Sequence, residues 1–354
     1  MSATNQCIIE EFLIHSDRRK EGEKPFDLTP FIAAVDYYED IFSPCVTLKV
    51  LVINEAQVVT EDEEDTESTD DKLKALYNAL PIRGGEICRI KIGANVETNI
   101  PLDFSEKAQD YMYVTGITGV TRDAKREMFT LNLTSREAIV NETVRCYKKY
   151  SPDQNIGASV ENILTDTLGI DKDRFSVEMA ANSYGFIGNL KKPFPTIVWL
   201  AKKSVSASTG GGSAGFLFYQ TKTGYKFKSV DTLMRQETYK LTSNSGEKLK
   251  APPFYYGEAT QGFDENDRPV NTDFKILSFS ILQNNDIVKN LKLGTYSSTG
   301  MYFNPYNFEF ETLQYKRKDE IKKDNMSLMG SEDPTRYPLK LDPDNKTGSE
   351  DTIE

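Results

Sequence analysis

The sequence has 354 residues, 38% hydrophobic and 11% aromatic, enough for two or three domains with a packed core. A net charge of -11 argues against a general binder of nucleic acid or anionic membrane, which carries a basic surface. No run of about 18 apolar residues offers a transmembrane helix, and the acidic start MSATNQCIIEEFLI lacks the basic region of a secretory leader.

Residues 7–15 alternate weakly and predict a first strand, followed by a charged loop over 16–24. Strands are predicted over 32–36 and, after the Ser43-Pro44 turn signal, over 45–53, where β-branched residues are dense. Residues 61–71 read EDEEDTESTDD, a self-repelling block that stays solvated; it has neither EF-hand spacing nor a glycine turn for calcium. Residues 73–80 have short helical character. Gly84-Gly85 then marks a turn into a strand over 86–93, with Cys88, Ile90 and Ile92 on one face and Ile87, Arg89 and Lys91 on the other.

Two further strand runs, 112–121 and 128–134, flank a polar turn at 122–127. In the second, Phe129, Leu131 and Leu133 alternate with Thr130, Asn132 and Thr134, which puts the apolar set on one face. Thr134-Ser135 then precedes a helix-like segment, and a small hydroxyl residue at that place is a helix start signal. Hairpin followed by helix reads as the closing corner of a β-barrel.

The period changes near Ser151-Pro152. Ile156, Val160, Ile163, Leu164 and Leu168 recur at helical spacing up to Gly169, a helix with its C-terminal stop. A second helix starts near Pro195 and runs to about 203. A Gly/Ser stretch over 204–215 lacks the Gly-Lys-Ser/Thr ending of a phosphate loop and sits between helix and strand in the wrong order, so it reads as a flexible connection. Residues 216–220 and 225–229 form a hairpin around 221–224. Beyond Pro252-Pro253, strands are predicted over 274–282 and 308–315, the latter with Phe308, Phe310 and Leu313 facing inward. The basic run 316–323 lacks the interleaved aromatics of a nucleic-acid site, and the tail from 331 is polar and non-periodic.

Catalytic constellations are missing. The chain has one histidine, His15, beside an apolar strand, and triads and metal sites need partners for it. Cys7, Cys45, Cys88 and Cys146 are too far apart in sequence for a zinc-type pair and read as reduced core thiols. Carboxylates are abundant, but without a located cleft they single out no glycosidase pair. No cofactor or metal is expected, and the chain reads better as an assembly part than as an enzyme.

Residues 113–118 (YVTGIT), 129–137 (FTLNLTSRE) and Asn141-Glu142 resemble the tube-barrel segment of baseplate hub proteins from contractile-tailed, T-even-type bacteriophages. Residues 195–203 (PTIVWLAKK) and 215–227 (GFLFYQTKTGYKF) resemble the helix-then-hairpin module between the two tube domains of such hubs. The likeness covers roughly residues 30–315. It implies an α+β, mainly β fold with two tail-tube-like antiparallel β-barrel domains and an α+β domain between them. The corresponding division is 1–150 for the first barrel, with an acidic insertion near 55–80, 151–250 for the peripheral α+β domain, 251–330 for a second barrel, and a polar tail over 331–354.

The resemblance further implies a trimeric ring whose six barrels match a sixfold tail tube on one side and a threefold central spike on the other. Partners would be two further copies, the spike, tube or tube-initiator proteins and baseplate wedge proteins. DNA would pass through the channel without specific binding. The place of action would be the virion's tail baseplate, assembled in the host cytoplasm, with no membrane partner. Val114, Ile117, Phe129, Leu131, Leu133, Phe308 and Phe310 are the implied inter-subunit interface residues. After residue 315 little alternation remains, so the second barrel is short of strands. A spike-base protein of a type VI-like injection system is the alternative, although its needle of β-repeats is missing here. A tail-associated cell-wall glycosidase ranks below it.

Overall fold

A computed structural model describes residues 8–16, 25–54, 82–93, 101–107, 110–123, 126–207, 215–235, 240–242, 248–250, 276, 278–280, 286–294 and 297–316. The acidic run 61–71, the expected helix 73–80, the Gly/Ser stretch 208–214 and the polar tail lie outside the described residues.

The first half forms one antiparallel sheet. Its strands are β1 (Ile8–His15), β2 (Phe26–Asp27), β3 (Ile32–Tyr38), β4 (Thr47–Asn54), β5 (Ile87–Gly93), β6 (Leu102–Asp103), β7 (Met112–Arg122) and β8 (Glu127–Ser135). Their order is β2-β1-β5-β7-β8-β4-β3, with β6 beside β5. The alternation read from sequence for β5 and β8 is the one observed: Cys88, Ile90 and Ile92 of β5 and Phe129, Leu131 and Leu133 of β8 point into one core, which Leu48, Val50 and Val52 of β4 also enter. Each such side chain contributes roughly 1.5–3 kcal/mol by leaving water.

Register shifts break the simple period at several places in this sheet, between Ile9 and Glu11, Ile32 and Ala34, and twice along β7. The β7–β8 register shifts between Val114 and Gly116, so Thr115 is an extra residue in β7. Val114 lies opposite Leu133 and Ile117 opposite Leu131, on the same inner face, although Ile117 is three positions after Val114. A strict period of two would have put them on opposite faces; the bulge reconciles them.

The two edges of the sheet are consecutive in sequence. β2 and β3 are joined by residues 28–31 alone, a connection that spans at most about 14 Å when extended. Leu28 is fully buried, its N–H bonds to the Phe12 carbonyl, and the Thr29 hydroxyl accepts from the Phe12 N–H. The sheet therefore curls until its edges approach, but no β2–β3 ladder closes it among the described residues. The fold is α+β and mainly β, as the sequence implies, while the first barrel remains open at this seam.

The second unit follows directly. Helix α1 (Arg136–Thr143) leads to β9 (Lys149–Tyr150), α2 (Ile156–Asn162) with a wider turn over Ile163–Thr167, β10 (Phe175–Val177), β11 (Phe186–Ile187), α3 (Pro193–Ala201), β12 (Phe216–Thr221), β13 (Gly224–Ser229) and α4 (Val230–Arg235). β10 lies parallel to β13 and β12 antiparallel to it. Ile156, Val160, Ile163, Leu164 and Leu168 pack with Phe194, Ile197 and Leu200 and with Phe216, Phe218, Tyr225 and Phe227 in a second core. Gly169 ends the α2 segment at φ 67°, a value that suits glycine.

Further along are β14 (Lys240–Thr242), β15 (Lys248–Lys250), α5 (Ile287–Lys292), β16 (Ser297–Asn304) and β17 (Glu309–Lys316). In the region expected to hold a second barrel, the described strands are one hairpin, β16 with β17. Of the strand expected over 274–282, residues 276 and 278–280 are described and lie in no strand. A period of two makes a strand only where a neighbour accepts its backbone bonds.

Candidate functional site

Two places stand out: a buried polar junction between the units, and the exposed β16–β17 ribbon.

The junction is built at Ser135, where β8 gives way to α1. Ser135 is the N-cap by position, but its hydroxyl does not cap the helix; it lies 3.4 Å from the Tyr225 phenol oxygen. Two residues on, Glu137 is fully buried. Its Oε2 accepts from the Tyr225 hydroxyl at 3.1 Å, and its Oε1 is 3.5 Å from the Arg174 guanidinium. Arg174 also reaches Asp110 at 2.8 Å, so one cation joins a carboxylate ahead of β7 to one on α1. Burial first, and then the Glu137 charge, raise the Tyr225 phenol well above its ordinary value. It therefore stays protonated and keeps donating.

Neighbouring contacts complete the junction. The Gln220 side chain accepts from the Val46 N–H at 3.0 Å, and the Lys222 N–H donates to Glu39 at 2.6 Å. Asn141 of α1 accepts from the Phe194 N–H at 2.8 Å, so one helix satisfies a free first-turn donor of another. At Gly224 (φ 103°) an added Cβ would meet the Arg174 carbonyl at 2.0 Å, so only glycine permits this approach. The sequence reading located the corner but missed Glu137, Arg174, Asp110 and Tyr225. A charged residue in a helix's first turn reads as exposed, and the local pattern does not show that a distant arginine covers it.

The interface residues implied by the resemblance divide. Val114, Phe129, Leu131 and Leu133 are buried in the first core, and Ile117 packs against it half-buried. A side chain enclosed by its own chain has no surface to offer a neighbour, so these four hold the sheet together from inside. Phe308 and Phe310 do reach the surface, 79% and 64% exposed. With Leu313, they point out of the subunit rather than into a core of its own.

On the ribbon, Phe303 pairs with Phe310 and Met301 with Thr312, which places Met301, Phe303 and Phe310 on one face. Phe308, in the turn, meets Phe303 edge-on at 6.1 Å. The opposite face carries the Tyr302–Glu311 and Asn304–Glu309 pairs. A lone two-stranded ribbon is marginal in water, and here its apolar face is uncovered among the described residues.

No group able to hold a metal is found among the described residues. Cys88 and Cys146 are free and buried, and burial pushes both thiols up, away from nucleophilic thiolate. His15 lies half-buried on β1 opposite Ile87, and its pKa is lowered by burial and then by Arg89. No described helix is long and apolar enough to cross a membrane.

No protein-family model and no curated protein matches the chain. Solved structures of similar shape exist. One is the 43 kDa tail protein of prophage MuSo2 from Shewanella oneidensis, at 11% identity and TM-score 0.38, over 62% of this chain and 53% of that one. Another is an Escherichia coli component of the type VI secretion system, described as structurally similar to the T4 bacteriophage tail proteins gp27 and gp5. It matches at 10% identity and TM-score 0.31, over 63% of this chain and 46% of that one. Prophage tail protein gp18 from Listeria monocytogenes EGD-e matches at 10% identity and TM-score 0.36, over 89% of this chain and 70% of that one. The chain thus spans about half the length of the first two, at 53% and 46%. These partial likenesses assign no role to any residue here.

Proposed function

We propose that this chain is a structural subunit of a phage tail, a baseplate hub protein without catalytic activity. Three copies form a ring in which barrel-like sheets repeat with pseudo-sixfold symmetry, joining a sixfold tail tube to a threefold spike. Residues 1–150 and 251–330 contribute to the ring wall and 151–250 stands outside it, towards wedge proteins. DNA passes through the channel without specific contacts.

The observation that carries this reading is the β16–β17 ribbon. Its Met301, Phe303 and Phe310 face is exposed, and its two strands pair only with each other among the described residues. Such a ribbon is completed by strands and apolar surface from another chain, which also removes its open edges. The open seam between β2 and β3 gives the first sheet two more edges of the same kind. Negative-stain imaging of the purified chain with its spike partner tests the reading: threefold rings with a central channel support it, and monodisperse single subunits that bind neither spike nor tube protein reject it.

A further inference from the structure

The residues 145–149 and 186–191 form a short antiparallel ribbon on the second unit. Cys146 bridges to Lys191, Lys149 pairs with Ile187, and Tyr150 with Phe186. Its inner side is anchored: Cys146 and Tyr150 are buried, and Tyr150 stacks on Phe186 at 4.3 Å. At Gly188 a Cβ would meet the Cys146 carbonyl at 2.4 Å, so the two segments touch backbone to backbone.

The outer side is unusual in two ways. Tyr147, Leu190 and Ile187 are 73%, 67% and 57% exposed, a cluster of large apolar side chains held in water. Asn189 and Leu190 have φ of 49° and 56°, and leucine is disfavoured in that left-handed region because its Cβ crowds the backbone. The left-handed turn thus leaves Leu190 exposed on the same short ribbon as Tyr147 and Ile187.

The charge around the cluster is positive, although the chain as a whole carries -11. Arg145, Lys149 and Lys191 are exposed. Lys149 and Lys191 form no ion pair among the described residues, and Lys191 lies over the Trp199 ring at 5.7 Å; Arg145 donates to the Glu142 and Val144 carbonyls, and its charge also acts on the Glu142 carboxylate. The nearby Lys148 and Lys192 are matched by Asp166 and Glu142. The excess cations therefore surround the apolar cluster, where an acidic segment with apolar flanks would fit. This chain has one: residues 61–71 hold the acids of EDEEDTESTDD, with Val58 and Val59 before them and Leu73 and Leu76 after.

We propose that the acidic segment 61–71 of this chain binds, within the same molecule, to the surface formed by Arg145, Tyr147, Lys149, Ile187, Leu190 and Lys191. Carboxylates meet the three cations while the flanking apolar residues meet Tyr147 and Leu190. The contact is mainly electrostatic and weakens with salt, since exposed charges are screened over about 8 Å at physiological ionic strength.

The test uses the full chain and a fluorescein-labelled peptide of residues 56–73. In one form of the chain, the acids at 61–65, 67, 70 and 71 are changed to their amides, which leaves the surface open. By anisotropy, the peptide should bind that form about tenfold more tightly than the native chain, whose own segment competes. The pair Lys149→Glu with Lys191→Glu should cost at least about tenfold in peptide affinity, as should Tyr147→Ala with Leu190→Gly. All of these positions are exposed, and an unchanged melting temperature confirms folding. Equal binding to the native and amide forms would overturn the proposal, as would binding that ignores the charge reversals. Native-chain blocking that fades on dilution would assign the segment to a second copy, and tighter binding of a 20-base-pair DNA duplex would assign the surface to nucleic acid; either outcome overturns it too.

Discussion

The β7–β8 pair and the β16–β17 ribbon are both antiparallel hairpins with an apolar face, yet they differ in what covers that face. In β8, Phe129, Leu131 and Leu133 are enclosed by β4 and β7 on either side and by the shared core. In the ribbon, Met301, Phe303 and Phe310 share a face that no described residue covers. Alternation states which residues seek an apolar neighbour; it does not state whether the neighbour belongs to the same chain. On the proposed reading, the first hairpin makes the subunit stable and the second makes it associate.

The largest effect should come from breaking the internal hairpin. Leu131→Pro removes a ladder donor in a strand flanked by Val50 and Ile117, and it empties part of the core. A loss of at least about 3 kcal/mol is expected, enough that the chain should fail to fold cooperatively by circular dichroism and form no rings. Next is the junction. Glu137→Ala leaves the buried Tyr225 hydroxyl without its acceptor and Arg174 with Asp110 as its remaining carboxylate partner, and should cost about 1–3 kcal/mol in urea unfolding. Lys148→Ala, at the exposed pair with Asp166, should leave the urea midpoint within error. A comparable loss at both sites would refute the distinction between them.

Asn141→Ala removes the acceptor for the Phe194 N–H and should cost about 1 kcal/mol, the range of a helix cap, with Asn141→Asp recovering most of it. The smallest effect on the single subunit belongs to the ribbon. Phe303→Ser with Phe310→Ser should change subunit stability by less than about 0.5 kcal/mol, because both rings are exposed before and after folding.

Much of the first sheet was legible in sequence, since Leu48 to Val52, Cys88 to Ile92 and Phe129 to Leu133 each keep the period of a strand with one buried face. The helix starting after Ser135 and the hairpin 216–229 were legible for similar local reasons. The bulge at Thr115 was not, because one inserted residue leaves no periodic trace except the nearby Gly116. The Glu137–Arg174–Asp110 cluster was hidden by distance along the chain. β16 was hidden by Gly300 and Asn304-Pro305, which read as loop. The inward assignment of Phe308, Phe310 and Leu313 failed because Phe308 lies in the turn, Leu313 lies on the face opposite Phe310, and all three are exposed.

The central claim is that the ribbon's apolar face is an association surface. Sedimentation velocity compares the native chain with the Phe303→Ser, Phe310→Ser variant at matched concentration. A trimer for the native chain and a folded monomer for the variant is the predicted result. A native chain that stays monomeric alone and with its spike partner, or a variant that trimerises as well as the native chain, would contradict it.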